Sequence, residues 1–131
     1  KRKMNYVEAS VAVHAKSQYT VIEFSGHLEY GKIEEIKRIL QETAFQHERN
    51  YIIDMQKVTN VDSTGFGMIV NFAKKVSMRG QQIAIIVVDE FVRNLFAISQ
   101  CDKIFPLVKS EAEGAQIMID GWQSEISLNE Y

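Results

Sequence analysis

The chain has 131 residues, of which 46% are hydrophobic and 24% charged, a composition typical of one water-soluble globular domain. The formal net charge of −2 excludes an overall positive field that would attract nucleic acid. The longest apolar run, residues 83–88, is too short to span a bilayer, so we predict no direct membrane contact.

Cysteine and histidine usage gives no sign of a disulfide or a metal site. Cys101 is the single cysteine, which fits a reducing, cytoplasmic location, and we interpret it as a small packing residue. The three histidines, His14, His27 and His47, are scattered and form no ligand pair with metal-binding spacing. We therefore predict neither a metal nor a cofactor.

The first third of the chain predicts two strands and a helix. Residues 6–15 alternate apolar and polar side chains, as in a half-buried strand, and residues 18–26 predict a second, more central strand. Because only a short polar break separates them, we expect an antiparallel hairpin. Apolar residues then recur at helical spacing over residues 31–48.

The remainder alternates strand and helix. We predict strands at residues 51–55, 82–89 and 103–108. We predict helices that end near residues 79, 99 and 126. Gly80 follows the end of the helix at residue 79, and Ser110 caps the start of the last helix. The order ββαβαβαβα indicates an α/β fold with a mixed, mostly parallel sheet of about five strands and four helices. We expect one domain over residues 1–131, in which residues 119–131 form a C-terminal extension with a frayed end.

The segment Asp62-Ser63-Thr64-Gly65 has two interpretations. It precedes a long apolar-periodic run, and side-chain oxygens of this kind cap helix starts, contributing about 1 kcal/mol. Only one residue can occupy the cap position, however, and three polar residues stand in a row. The alternative is phosphorylation, because a helix start favours negative charge and a phosphoserine carries about −1.5 to −2 charges.

In the helix that follows this segment, one stripe of apolar residues is predicted to face the core. We call the positions directly beside this stripe its shoulder. Met68 and Phe72 lie on the shoulder, and a methionine on a helix is more often a core residue than a contact residue. We nevertheless expect an exposed Met68 close to the hydroxyls, since Gly67 and Asn71 lie further toward solvent. Gly65 and Gly67 would leave room for another protein to approach.

An enzymatic function has little support in the sequence. Ser63 belongs to no GxSxG motif, and the pair Gly65 and Gly67 completes neither a GxGxxG motif nor a phosphate-binding P-loop. Asp54 and Asp62 lie near a strand end, but no base, metal partner or nucleotide loop accompanies them. We predict no catalytic residues.

The sequence VTNVDSTGFGMIVNFAKKVSMRGQQIAIIVV, residues 58–88, resembles the characteristic segment of STAS domains, the family of bacterial anti-sigma factor antagonists. The resemblance extends over residues 19–118 and implies a STAS-like fold. One departure is Glu29, which stands where the family has an aspartate after G-x-L. An altered side chain there would change partner identity if that position contacts the partner.

The resemblance implies a switch by phosphorylation. Ser63 is the implied phosphoacceptor, with Thr64 as the second choice. The implied partners are an anti-sigma factor that is itself a serine kinase and a PP2C-type phosphatase that removes the phosphate. The implied partner-binding residues cluster around the start of the helix: Glu29, Asp62, Ser63, Thr64, Gly65, Gly67, Met68, Asn71 and Phe72.

A second function remains open at this point. STAS domains also form stress-sensing scaffolds or accessory domains of transport complexes. Trp122, in the C-terminal extension, is interpreted as a core or homodimer contact rather than a ligand contact. The size of the assembled particle would distinguish a scaffold from a small switch protein.

Overall fold

The computed structural model describes residues 7–46 and 49–126. The predicted strand start at Tyr6, the position of His47 and the frayed end at residues 127–131 lie outside these ranges. The strands are β1 (Ser10–Ala15), β2 (Thr20–Leu28), β3 (Tyr51–Val61), β4 (Ile83–Ile86) and β5 (Leu107–Val108). The helices are α1 (Tyr30–Gln46), α2 (Ser63–Met78), α3 (Glu90–Ile98) and α4 (Glu111–Asp120), with a 3₁₀ turn at Cys101–Lys103.

The strands form one sheet in the order β1-β2-β3-β4-β5. β1 and β2 pair in antiparallel fashion, and every later neighbour pairs in parallel. The tight β1–β2 connection, closed by a 2.8 Å hydrogen bond from Lys16 N to Tyr19 O, permits the antiparallel pairing. Helical crossovers make the later pairs parallel. The predicted α/β fold with its mixed, mostly parallel sheet is confirmed.

The two faces of the sheet are covered by different helices. Ile53 and Ile85 belong to the large core that includes buried residues of α1, α2 and α3. Their neighbours Ile52 and Ala84 point to the other face, where Ile117 of α4 packs against them. Because both faces are covered here, residues 51–53 of β3 and all of β4 are apolar and buried.

β3 and α4 differ in length from the prediction. β3 continues to Val61, six residues beyond the predicted end at residue 55, because the backbone of residues 57–61 pairs with β2 through two register shifts. A single residue, Asp62, therefore separates the end of β3 from the start of α2. α4 ends at Asp120 rather than near residue 126, since Gly121 adopts a positive φ of 87° that ends the helix.

Candidate functional site at the start of helix α2

The start of α2 lies at the edge of the sheet where the parallel strands β2 and β3 end. β2 ends at Leu28 and β3 ends at Val61, which pairs with it. The backbone N–H of Asp62 then donates a 3.1 Å hydrogen bond to the carbonyl oxygen of Leu28. This bond fixes the first turn of α2 beside the β2–α1 connection, which contains Glu29.

Asp62 is the residue that caps α2. Its backbone is extended, with φ −95° and ψ −179°, and its Oδ1 accepts a 2.8 Å hydrogen bond from the N–H of Gly65. Its carbonyl oxygen accepts a 2.9 Å bond from the N–H of Phe66. Capping therefore accounts for Asp62 and leaves the hydroxyls of Ser63 and Thr64 outside this arrangement.

Ser63 and Thr64 occupy the first two positions of α2, and both residues are exposed. Their hydroxyls stand at the positive end of the helix dipole, next to the Asp62 carboxylate. A phosphate ester on Ser63 would therefore experience the favourable dipole and the unfavourable Asp62 charge together. The geometry allows a modifying enzyme to reach either hydroxyl.

Gly65 and Gly67 have different environments. Gly65 is buried, and a Cβ built on it would overlap the carbonyl oxygen of Leu28. The space beside Gly65 is thus taken by β2, and the expectation that it leaves room for a partner is wrong. A Cβ on Gly67 would meet nothing within 4 Å, so this position is open as expected.

Met68 and Phe72 are buried, with relative exposures of 5% and 6%. The expectation of an exposed Met68 is wrong, because α1 packs beside this shoulder of α2 and covers it. The ring of Phe72 contacts that of Tyr51 edge-to-face, with 5.3 Å between the ring centroids. Any role of Met68 and Phe72 in partner binding depends on the small part of each side chain that faces the groove described next.

A groove of about 450 Å³ runs between α1 and α2, and Ser63 and Thr64 line it. Its apolar lining comes from α1 and from the shoulder of α2: Ile33, Leu40, Met68 and Phe72. Gly67 and the exposed Asn71 also line it. We call this feature the α1–α2 groove.

The charged residues that line the α1–α2 groove are Lys37, Lys75 and Arg79, and all three are cationic. Lys37 Nζ lies 3.5 Å from Glu34 Oε2, and the two side chains are 46% and 87% exposed. Such a pair contributes little and leaves the ammonium group accessible to another partner. The groove is thus positive, although the chain as a whole carries a net charge of −2.

Glu29, Asp62 and Gly65 do not line the groove; they lie at the edge of the sheet from which α1 and α2 start. Glu29 is half-buried, and its carbonyl oxygen accepts a 3.2 Å hydrogen bond from the N–H of Lys32. The structure thus places Ser63, Thr64, Gly67 and Asn71 on one accessible surface, with Glu29 and Asp62 beside it.

The described acidic residues and Cys101 form no cluster of metal ligands. No group of three or more His, Cys, Asp or Glu residues in residues 7–46 and 49–126 could hold a metal ion. The Asp54 carboxylate accepts a 2.9 Å hydrogen bond from the N–H of Gln56, a local contact within β3. Cys101 is fully buried, as expected of a packing residue. In the same ranges, no helix is both long and apolar enough to cross a membrane.

Comparison with known proteins identifies the family. The family model described as STAS domain matches residues 10–114, most of the chain and all of the elements from β1 to the start of α4. The chain belongs to the STAS domain family. A STAS-domain-containing protein of Pseudomonas aeruginosa (strain UCBPP-PA14) is 24% identical over 93 residues, which cover 71% of this chain and 91% of that protein.

Solved structures of anti-sigma factor antagonists share this fold. An anti-sigma factor antagonist from Mycobacterium paratuberculosis superimposes with a TM-score of 0.78 at 15% identity, covering 86% of this chain and 96% of that one. SpoIIAA, an anti-sigma factor antagonist, superimposes in its unphosphorylated form with a TM-score of 0.66 at 16% identity, covering 86% and 100%. The phosphorylated form of SpoIIAA from Bacillus gives a TM-score of 0.64 at 17% identity, covering 79% and 95%. At these identities the likeness is one of fold.

In this STAS domain, the groove residues that the sequence did not identify as site residues include its three cations, Lys37, Lys75 and Arg79. Ser63, Gly67, Asn71, Lys75 and Arg79 follow one another at steps of four along α2, so helical periodicity could have indicated the last two. The sequence contains no local signal for Lys37, because its position in the groove depends on how α1 packs against α2.

Proposed function

We propose that this STAS domain is an anti-sigma factor antagonist that binds an anti-sigma factor with serine kinase activity and is switched off by phosphorylation of Ser63. The observation that carries the proposal is the exposed Ser63 hydroxyl at the first position of α2, next to a cap supplied by Asp62. Because Asp62 caps the helix, Ser63 can be modified without loss of the cap.

The proposed reaction requires a kinase and a phosphatase, and the STAS domain is the substrate of both. The kinase transfers the terminal phosphoryl group of ATP to Ser63 Oγ; the bond to ADP breaks, and the hydroxyl proton leaves to a base on the kinase. A PP2C-type phosphatase uses water to cleave the serine phosphate and releases inorganic phosphate. The STAS domain contributes an accessible hydroxyl and a surface that both enzymes recognise.

The switch would act through charge and hydration at the docking surface rather than through refolding. The N-terminal N–H groups and dipole of α2 favour a dianion on Ser63, so the helix tolerates the phosphate. A partner that covers the start of α2 would have to strip water from that dianion and place its own groups beside both the phosphate and Asp62. Binding is therefore expected to be lost while the fold is kept.

Two further observations support the proposal. SpoIIAA, whose fold this chain shares, has been solved in an unphosphorylated and in a phosphorylated form. Gly67 and Asn71 provide an open surface one and two turns after Ser63. This surface would carry the contacts with the kinase in the unphosphorylated state.

The deciding experiment combines the purified chain with ATP and each candidate anti-sigma factor kinase of the same genome, followed by mass spectrometry of the phosphopeptide. We expect one phosphate on Ser63, no phosphate on Ser63→Ala and normal phosphorylation of Thr64→Val. Full phosphorylation of Ser63→Ala would contradict the assignment of the site.

The binding half of the proposal is tested with a phosphomimetic variant. Ser63→Asp should weaken kinase affinity by about tenfold or more, a loss of about 1.4 kcal/mol. The matched control is Ser124→Asp, which adds the same charge at an exposed residue beyond α4. Equal affinities of Ser63→Asp and the unmodified protein would count against the charge switch.

A further inference from the structure

The α1–α2 groove combines an apolar lining with cations and has no carboxylate among its lining residues. Ile33, Leu40, Met68 and Phe72 supply the apolar part, whereas Lys37 and Lys75 are exposed lysines beside it. The chain carries 17 acidic and 15 basic residues, so three cations without an acid among the lining residues differ from the composition of the chain, although Glu34 Oε2 lies 3.5 Å from Lys37 Nζ. Its charge is complementary to an acidic ligand.

The shape of the groove indicates a helix as its occupant. Along α2 and its C-cap residue, the lining residues run from Ser63 to Arg79. At a rise of 1.5 Å per residue this wall is about 24 Å long, equivalent to about four turns of a second helix.

We infer that the α1–α2 groove binds an acidic amphipathic helix of the partner protein. The apolar side chains of that helix, at spacings of three and four, would contact the part of Met68 and Phe72 that faces the groove. Its carboxylates would pair with Lys37, Lys75 and Arg79. This inference rests on the proposed function, because it assigns a recognition element to the kinase that binds the start of α2.

The inference also explains why a negative charge on Ser63 would oppose binding. Ser63 lies at one end of the groove, and a phosphate there has the same sign as the proposed ligand. Lys75 is twelve residues further along α2, about 18 Å away along the helix axis, which exceeds the Debye length of about 8 Å at physiological salt. The phosphate and the lysine should therefore act independently, and their effects on affinity should add.

The main test reverses charges in the groove. We compare the variant Lys37→Glu/Lys75→Glu with Lys103→Glu/Lys109→Glu, which has the same net charge and changes two exposed lysines outside the groove. The groove variant should raise the KM of the kinase for Ser63 phosphorylation about tenfold, leave kcat unchanged, and lose much of the salt dependence. The control should match the unmodified protein. An unchanged KM in the groove variant would overturn the inference while the proposed function stands.

A second variant with a smaller change of charge tests the same groove with a lower risk of misfolding. Lys37→Gln/Lys75→Gln removes both charges without adding repulsion, and circular dichroism and urea unfolding verify that each variant is folded. We expect its KM to lie between those of the unmodified protein and the charge-reversed variant. A KM equal to that of the unmodified protein would again contradict the inference.

A designed peptide tests the groove without the kinase. The probe is a helical 16-residue peptide (about the length of the groove wall) with leucines on one face and glutamates beside them, compared with the same peptide carrying lysines. In ¹⁵N NMR titrations the acidic peptide should shift the amides of Gly67, Asn71 and Lys75, and Lys37→Glu/Lys75→Glu should abolish these shifts. Equal binding of both peptides, or shifts elsewhere, would overturn the inference.

Other occupants of the groove would give different results. Tighter binding of dodecanoate than of the acidic peptide at the same amides would assign the groove to a small amphiphile and overturn the inference. A concentration-dependent dimer that Lys37→Glu/Lys75→Glu abolishes in sedimentation would assign it to a second copy, with the same consequence. If the kinase fails to phosphorylate Ser63 but the acidic peptide binds in the groove, the proposed function fails and the recognition of an acidic helix stands.

Discussion

The α-carbon of Gly65 lies against the backbone of Leu28 so closely that a side chain on Gly65 would overlap the Leu28 carbonyl oxygen. The same oxygen accepts a hydrogen bond from the N–H of Asp62. The first turn of α2 is thus held on the end of β2 by a bond and by a contact that requires glycine. This arrangement fixes Ser63 and Thr64 relative to Glu29.

The first prediction concerns this contact. Gly65→Ala should destabilise the protein by about 1–3 kcal/mol, because the backbone of Leu28 cannot yield as a flexible side chain could. The control is Gly67→Ala, which meets no atom within 4 Å and should instead stabilise the helix by about 0.5–1 kcal/mol. Urea unfolding followed by circular dichroism measures both. Equal stabilities of the two variants would show that the contact is unimportant.

The second prediction separates the cap from the charge of Asp62. Asp62→Ala removes the acceptor for the Gly65 N–H and should cost about 1 kcal/mol of stability. Asp62→Asn keeps an acceptor at the same place and should lie within a few tenths of a kcal/mol of the unmodified protein. If Asn and Ala destabilise equally in urea unfolding, the carboxylate acts through its charge and not as a cap.

The third prediction concerns pH. Tyr19 Oη donates a 2.6 Å hydrogen bond to Glu111 Oε2, which joins the β1–β2 connection to α4, and Lys16 Nζ lies 3.6 Å from the same oxygen. This bond raises the pKa of Tyr19 above its usual value of 10.0, and burial and the negative charge of Glu111 add to the effect. Because the folded state holds the proton more tightly, the stabilisation is complete below pH 10 and is lost as pH rises through the folded pKa.

Tyr19→Phe tests this directly. At pH 7 the variant should be less stable by about 1 kcal/mol, the usual contribution of such a hydrogen bond. The difference from the unmodified protein should stay constant to about pH 9 and shrink above about pH 10, where Tyr19 ionises in the unfolded state. Urea unfolding at several pH values measures the difference. A difference that grows above pH 10 would contradict the assigned direction of the pKa shift.

Local rules of the sequence predicted the four helices and several of their ends, although α4 ends at Asp120 rather than near residue 126. The side chains of Asp62 and Ser110 cap their helices, each by accepting a hydrogen bond from the backbone N–H three residues later. Gly80 has the positive φ of 81° expected after a helix. These features depend on a few neighbouring residues. The resemblance to STAS domains supplied the fold, which the family model and the solved structures confirm.

Features that depend on packing between distant segments could not be predicted in this way. The end of β3 is set by its pairing with β2. Polar residues such as Lys57 and Asn60 interrupt the apolar pattern, so the sequence did not predict a strand there. The burial of Met68 depends on where α1 lies, and so does the position of Lys37 in the groove. The roles of the individual site residues in partner binding stay predictions.

The last prediction uses Gly67 to separate binding from folding. Gly67→Leu places a side chain in open space on a helix that favours leucine, so the protein should fold with at least its original stability. The new side chain would occupy the α1–α2 groove one turn from Ser63 and should weaken kinase affinity about tenfold or more. The control is Ala112→Leu, at an exposed residue of α4 on the opposite face of the sheet. Calorimetric titration measures both affinities; an unchanged affinity of Gly67→Leu would exclude this part of the groove from the interface.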